Sequence, residues 1–163
     1  SGVASNDASN ITINTANTAT VSGAIGTDIG TLTITNSGGV TFSGAVSATT
    51  VTLTDTTGTI AFNGALTATT LNTANKAYNV GLNATTGTIT NAVTFSNTGT
   101  LVLGASGGTL AFNGGVTATA RELHSAQLMS KKYKPISPSV SNLHLTLHKS
   151  DPQGQTRIGP RLR

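Results

Sequence analysis

The sequence has no cysteine and no tryptophan, only four phenylalanines, two tyrosines and one methionine, and it is charged at just 9% of its 163 positions. Without cysteine there is no disulfide scaffold, no thiolate zinc site and no cysteine nucleophile, and the redox compartment is left open. An ordinary soluble domain carries charge at about a quarter of its residues, so this chain has few groups for acid–base chemistry. No apolar run approaches the ~18 residues of a membrane-spanning helix, and no charged start leads into the apolar stretch of a secretory signal. The chain opens on Ser1-Gly2 without methionine, as expected of a processed protein or an excised fragment. Its length predicts one domain with a short appendage.

The scarcity is unevenly spread. Residues 1–120 contain one basic residue, Lys76, against Asp7, Asp28 and Asp55. Residues 121–163 contain Arg121, Lys131, Lys132, Lys134, Lys149, Arg157, Arg161 and Arg163 against Glu122 and Asp151, and also every proline, every histidine and the methionine. The positive net charge is therefore a property of the tail. In the body, 30 of 120 residues are threonine, which is β-branched, stiff at χ1 and suited to a pleated strand. Valine, isoleucine, leucine and phenylalanine recur there at regular places, which separates it from a disordered polar tract.

The body repeats itself. GVTFSGAVSATT (39–50) aligns without gaps on TIAFNGALTATT (59–70) and on TLAFNGGVTATA (109–120). Weaker copies are Thr20-Val21-Ser22-Gly23-Ala24-Ile25 and Ala92-Val93-Thr94-Phe95-Ser96-Asn97, with room for a degenerate unit around Tyr78 to Leu82. Between the copies lie Ile11-Thr12-Ile13, Leu32-Thr33-Ile34-Thr35, Val51-Thr52-Leu53-Thr54, Ile89-Thr90 and Leu101-Val102-Leu103. Apolar and threonine residues alternate in them, the period-two signature of a strand with one buried face. Ser37-Gly38-Gly39, Thr57-Gly58, Thr86-Gly87, Asn97-Thr98-Gly99 and Ser106-Gly107-Gly108 supply turn chemistry in every unit.

A unit of 17–21 residues with two or three short strands cannot bury its own apolar face, but stacked copies can, each strand pairing in parallel with its equivalent one rung along. The expectation is all-β: a right-handed parallel β-solenoid (β-helix) of about six rungs over residues 1–120. Rungs about 4.8 Å apart would make a rod on the order of 30 Å long. Its core ladder would hold Phe42, Phe62, Phe95, Phe112, Ile34 and Leu53. An antiparallel sandwich or barrel is the rival, since regular short strands allow it as well. For the basic tail, 121–163, the spacing of Leu123, Ala126 and Leu128 permits a short helix over 121–132, then extended or disordered chain, with one further strand possible at 140–147.

These units, joined by TLTIT and TVTLT strands, resemble the repetitive passenger regions of bacterial autotransporters and filamentous-haemagglutinin-like surface proteins. The likeness covers residues 10–120. It implies a secreted or bacterial cell-surface β-solenoid used as stalk, fibre or adhesin module, whose host-surface or matrix ligand the sequence does not name.

The body offers little for catalysis. Asp28 and Asp55 would pair as glycosidase-like carboxylates only if the winding brought them to one edge, and both read better as turn residues. His144 and His148 are four apart, but the intervening Leu-Thr-Leu alternates like a strand and no HExxH glutamate accompanies them. The Gly-Gly pairs lack the aspartate of calcium-binding GGxGxD repeats. Lys131-Lys132-Tyr133-Lys134 attracts polyanions yet suits a solubilising terminus better than a nucleic-acid site. Asn10-Ile11-Thr12 and Asn83-Ala84-Thr85 match the glycosylation sequon, as chance allows in such a composition. The expectation is a non-enzymatic protein with no catalytic residues, cofactor or metal, and with end-to-end self-association as its one foreseeable contact with its own kind. A second reading rests on outward Thr-x-Thr pairs, Thr33/Thr35, Thr52/Thr54 and Thr88/Thr90. Aligned in columns they would resemble the flat face of an ice-binding β-solenoid, with interruptions at Asn72 and Val102.

Overall fold

The structure, a computed structural model, describes residues 8–104 and 108–118 together with the backbone of two later strands. In chain order the strands are β1 (Ser9–Asn14), β2 (Thr18–Val21), β3 (Ile25–Asn36), β4 (Gly39–Phe42), β5 (Val46–Leu53), β6 (Thr59–Phe62), β7 (Leu66–Thr73), β8 (Asn79–Leu82), β9 (Thr86–Ile89), β10 (Val93–Phe95), β11 (Thr100–Leu103), β12 (Thr109–Phe112), β13 (Val116–Ala118), β14 (Glu122–Ser125) and β15 (Leu143–Thr146). One sheet has the order β1-β3-β5-β7-β9-β12-β15, a second β2-β4-β6-β8-β11-β14, and a third joins β10 to β13. Every pairing but one is parallel, between strands one rung apart. This is a β-solenoid of about five turns, and the antiparallel sandwich is set aside.

Burial along β5 shows how one strand makes two walls. Val46 and Ala48 face inward, Thr49 and Thr50 both face out, and Val51 and Leu53 face inward again. Two outward residues in succession reverse the phase of the alternation and turn the chain through a corner. The solenoid therefore has three walls: the first from the early half of the long strands, the second from their later half, the third from the short strands β2, β4, β6, β8, β11 and β14. From β9 onward the long strand is split in two, β9 and β12 on the first wall and β10 and β13 on the second.

The core is a set of columns. On the second wall Ile13, Ile34 and Leu53 follow one another. On the third, Val21, Phe42, Phe62, Leu82 and Leu103 do so. Phe42 and Phe62 stack with ring centroids 4.8 Å apart and planes 9° from parallel, a separation set by the rung spacing itself. Each fully buried phenylalanine contributes about 2–3 kcal/mol of transfer free energy, and a ring pair adds about 0.5–1.5 kcal/mol.

Phe95 and Phe112 are buried too, but not in that column. Phe112 sits on the first wall over Ile89 and Phe95 on the second beside Ala118, and the two rings meet edge to face at 6.2 Å. The single four-membered phenylalanine ladder is thus corrected to a stacked pair and a T-shaped pair. The physical reason is that an apolar-x-Phe segment before an Asn-Gly corner fits any wall needing two inward residues. TLAFNGG closes the first wall, whereas TIAFNGA closes the third.

The helix expected over 121–132 is corrected at Glu122–Ser125, which is strand β14, with Leu123 beside Leu101 and Ser125 beside Leu103. An isolated helix of a dozen residues is marginal in water, while the open edge of β11 offers ready-made backbone partners. The remainder of 121–132 lies outside the described residues. Within 140–147 the chain does form a strand, β15, and it runs antiparallel to β12.

Corners hold the stacking to close tolerances. A methyl group built on Gly64 would overlap the backbone of Gly44 one rung away, whereas Gly23 has open space at that position. Gly64→Ala is expected to lower the unfolding free energy by about 1–3 kcal/mol, the usual cost of overpacking. Gly23→Ala should be neutral to slightly stabilising. Urea denaturation of the two variants checks the contrast, and equal effects would contradict the corner packing.

Candidate functional site

Two features of the solenoid bring polar side chains together in order: the outer surface of the second wall, and the inner corner between the second and third walls.

On the second wall, the outward positions alternate with the buried columns. Asn10, Thr31, Thr50 and Thr70 form one column, and Thr12, Thr33, Thr52 and Asn72 the next. Thr35 and Thr54 extend two of these rows at the far edge. Neighbouring rungs set the hydroxyls about 4.8 Å apart, and alternate residues along a strand about 6.7 Å apart. The two ends of the first column are tied to the backbone and to each other's neighbours: the Thr31 N–H donates to Asn10 Oδ1 at 3.0 Å, and Asn91 Nδ2 donates to Thr70 Oγ1 at 3.0 Å.

Of the six threonines expected in this array, Thr33, Thr52, Thr35 and Thr54 occupy it. Thr88 does not. It lies on the first wall between Thr67 and Ala111, and Thr90 follows it into the corner, its N–H bound to the Ala68 carbonyl. The dipeptides Ile89-Thr90 and Leu53-Thr54 look alike in sequence, but only the count of residues from the preceding corner fixes the wall. Asn72 interrupts the second column as expected. Val102 belongs to the third wall and leaves the array untouched. Thr12, Thr31, Thr50 and Thr70, which complete the array, were signalled by the 20-residue spacing of the aligned Thr49-Thr50 and Thr69-Thr70 pairs.

The inner corner is polar and dry. Ser37, Thr56 and Asn97 are buried polar residues. The Ser37 hydroxyl donates to Thr56 Oγ1 at 2.8 Å, and the Thr56 hydroxyl donates to the Ser37 carbonyl at 2.8 Å. Tyr78, fully buried, takes the equivalent place one rung on and donates its phenol to the Leu53 carbonyl at 2.9 Å. Asn97 Nδ2 donates to the Tyr78 carbonyl at 3.0 Å and the Thr100 carbonyl at 3.3 Å, leaving Asn97 Oδ1 buried without a partner. These groups meet backbone carbonyls that a corner cannot pair in the ladder, which is what makes buried polar residues tolerable there. Sequence reading took Asn97 for a surface turn and missed the corner, because only the register reveals the stacking of Ser37 and Thr56.

The remaining candidates stay apart. Asp28 lies in the irregular stretch of β3 between Ile25 and Ile29, on the first wall, while Asp55 lies beyond β5 at the corner after the second wall and meets Lys76 Nζ at 4.0 Å, both side chains about half exposed. The two carboxylates belong to different sides of the solenoid. His124 and His144 fall on β14 and β15, described by backbone alone. His148, Asp7 and Lys131–Lys134 lie outside the described residues. Among the sequons, Asn83 Nδ2 donates to Asn63 Oδ1 at 3.0 Å, so its amide is engaged within the stack. A cavity of about 10 Å³ between Phe62, Leu82, Ile89 and Phe112 arises where Leu82 replaces phenylalanine and Gly87 follows Leu66. It is far below the roughly 300 Å³ of a small-ligand site.

Burial pushes the Tyr78 phenol up to about 12, with Asp55 adding to the rise and polar contacts to Ala74 and Thr73 opposing it. The unfolded chain titrates near 10, so the neutral phenol is the form the fold prefers. Its contribution is complete below pH ~10 and is lost as pH climbs from there through about 12. Denaturant midpoints should therefore decline above pH 10, and Tyr78→Phe should remove that share of the decline while costing about 1 kcal/mol at neutral pH. Absorbance titration at 295 nm should lose its higher step in the same variant. Comparison with known protein families, with curated proteins and with solved structures finds no match to this chain.

Proposed function

We propose that this chain is a non-enzymatic, load-carrying rod, a segment of a secreted or bacterial-surface stalk or fibre. The observation that carries this reading is the parallel ladder itself. Backbone hydrogen bonds run along the rod axis from rung to rung on all three walls, while the interior holds no cavity large enough for a ligand. Resistance to extension then resides in the ladder, which needs no large core and no charged chemistry. The resemblance of 10–120 to autotransporter and haemagglutinin-like repeats supports placement outside the cell, and an adhesive role would fall to outward side chains.

A second reading has a specific observation in its favour. The in-register columns Thr31–Thr50–Thr70 and Thr12–Thr33–Thr52 make a flat hydroxyl and methyl lattice of the kind that orders water as ice does.

Two measurements separate these readings. Pulled by its ends in an optical trap, a rod held by its ladder should yield rung by rung, each step releasing about 20 residues or roughly 70 Å of extended chain. Smooth lengthening without steps would remove the load-carrying reading. In an ice-recrystallisation assay, growth inhibition that Thr52→Tyr abolishes at the centre of the lattice would favour the ice-binding reading, and an inactive parent chain would eliminate it.

A further inference from the structure

Five apolar residues pack against the core yet remain only partly buried: Ile11, Ile13, Ala19, Val21 and Val116. All five lie in the terminal rungs. Ile11 and Ile13 occupy inward positions of β1 and Ala19 and Val21 those of β2, and among the described residues each of these strands is paired on one side only. Val116 lies on β13, whose only partner is β10, and β14 is likewise paired only with β11. The first wall ends differently. There β12 carries β15, Thr109 opposite Thr146 and Phe112 opposite Leu143, in the one antiparallel pairing of the molecule.

We infer that the two ends of the solenoid are complementary docking surfaces for a second copy of this chain, stacked head to tail, and that β15 is the stop that closes this junction. The register argues for the second copy. Val116 and Ala118 pair with the buried Val93 and Phe95 and so continue inward columns, with Thr117 outward beside Thr94. In β1 the inward residues are Ile11 and Ile13 and the outward one Thr12. Setting β13 of one copy on β1 of the next places Val116 on Ile11 and Ala118 on Ile13, and it carries the outward threonine column from Thr117 to Thr12. By the same shift β14 meets β2. Both strand pairs run parallel, as every other rung does, so the junction repeats the interior contact and covers the apolar residues left half-exposed at each end. The interface is heterologous and does not close on itself, so its product is a linear fibre. β15 occupies the place where the first wall of the next copy would have to sit. The inference depends on strand register alone and would survive loss of the load-carrying reading.

The absence of native cysteine makes the test direct. Adjacent strands hold paired Cα atoms within disulfide range, and residues 12 and 117 of one copy lie at opposite ends, so Thr12→Cys/Thr117→Cys can bridge only between copies. The full chain carrying this pair is oxidised with β15 intact and with β15 broken by His144→Pro/Leu145→Pro. Neighbouring antiparallel pairs alternate between bonded and unbonded, so two successive prolines remove at least one ladder donor. A gentler pair, Leu143→Gly/Leu145→Gly, weakens the strand without removing a donor. The expected result is a ladder of cross-linked multimers on β15 disruption, at least tenfold less of it with β15 intact, and none from either cysteine alone. A disrupted variant that keeps its β circular dichroism but stays a single chain would overturn the proposal. So would equal multimers with β15 intact, or dimers from Thr12→Cys alone, which would mean that two N-terminal ends meet face to face.

Discussion

The interaction on which everything else depends is the parallel backbone ladder between successive rungs. Its spacing is fixed at about 4.8 Å, and that distance is imposed on every side chain the wall carries. Inward, it brings Phe42 onto Phe62 at 4.8 Å and sets Ile34 beside Leu53. At corners it leaves no room for a methyl group where Gly64 passes over Gly44. Where the chain bends and carbonyls lose their ladder partners, it puts a hydroxyl or an amide within reach, as Thr56 does for Ser37 and Tyr78 for Leu53. The near-identity of the units follows from this geometry, since a residue that suits one rung must also suit the rungs on either side of it.

The same constraint explains why the exterior is threonine and not charge. Like charges stacked every rung would repel along the whole column, whereas threonine keeps its β-branched preference for the strand and presents a neutral hydroxyl to water. The lattice of Thr12, Thr31, Thr33, Thr50, Thr52 and Thr70 is thus at once a solution to a packing problem and the most ordered surface the molecule has. A rod and a water-ordering face draw on one architecture, and they differ in what meets the second wall and not in how that wall is built.

The winding was legible from the sequence because the repeats report the ladder directly: Val21, Phe42 and Phe62 lie at 20–21-residue intervals and share a column. Wall assignment was not. Phe112 resembles Phe62 in its neighbours, yet sits on another wall, because a two-residue inward segment before a glycine corner is interchangeable among walls. Thr88 was misplaced for the same reason. Local propensity misled at Glu122–Ser125, where amphipathic spacing suggests a helix but an unpaired strand edge supplies stronger partners than an isolated helix can make for itself. The corner of Ser37, Thr56, Tyr78 and Asn97 was hidden because its residues differ from rung to rung: what is common to them is a polar atom at one place in space.

A stack of equivalent rungs has no intrinsic reason to stop, so its ends matter as much as its middle. The end at β1 and β2 has the same strand polarity, the same inward apolar parity and the same half-covered residues as an interior rung with its neighbour removed. At the other end the chain breaks its own rule, laying β15 antiparallel on β12. An antiparallel strand satisfies the edge it covers but offers the next rung the wrong polarity, so continuation beyond it would need a different hydrogen-bond pattern from that used anywhere else on that wall. Changing strand direction once therefore ends a ladder without adding charge or proline to it, and it does so with a segment from the basic tail, whose composition could never have served as another rung.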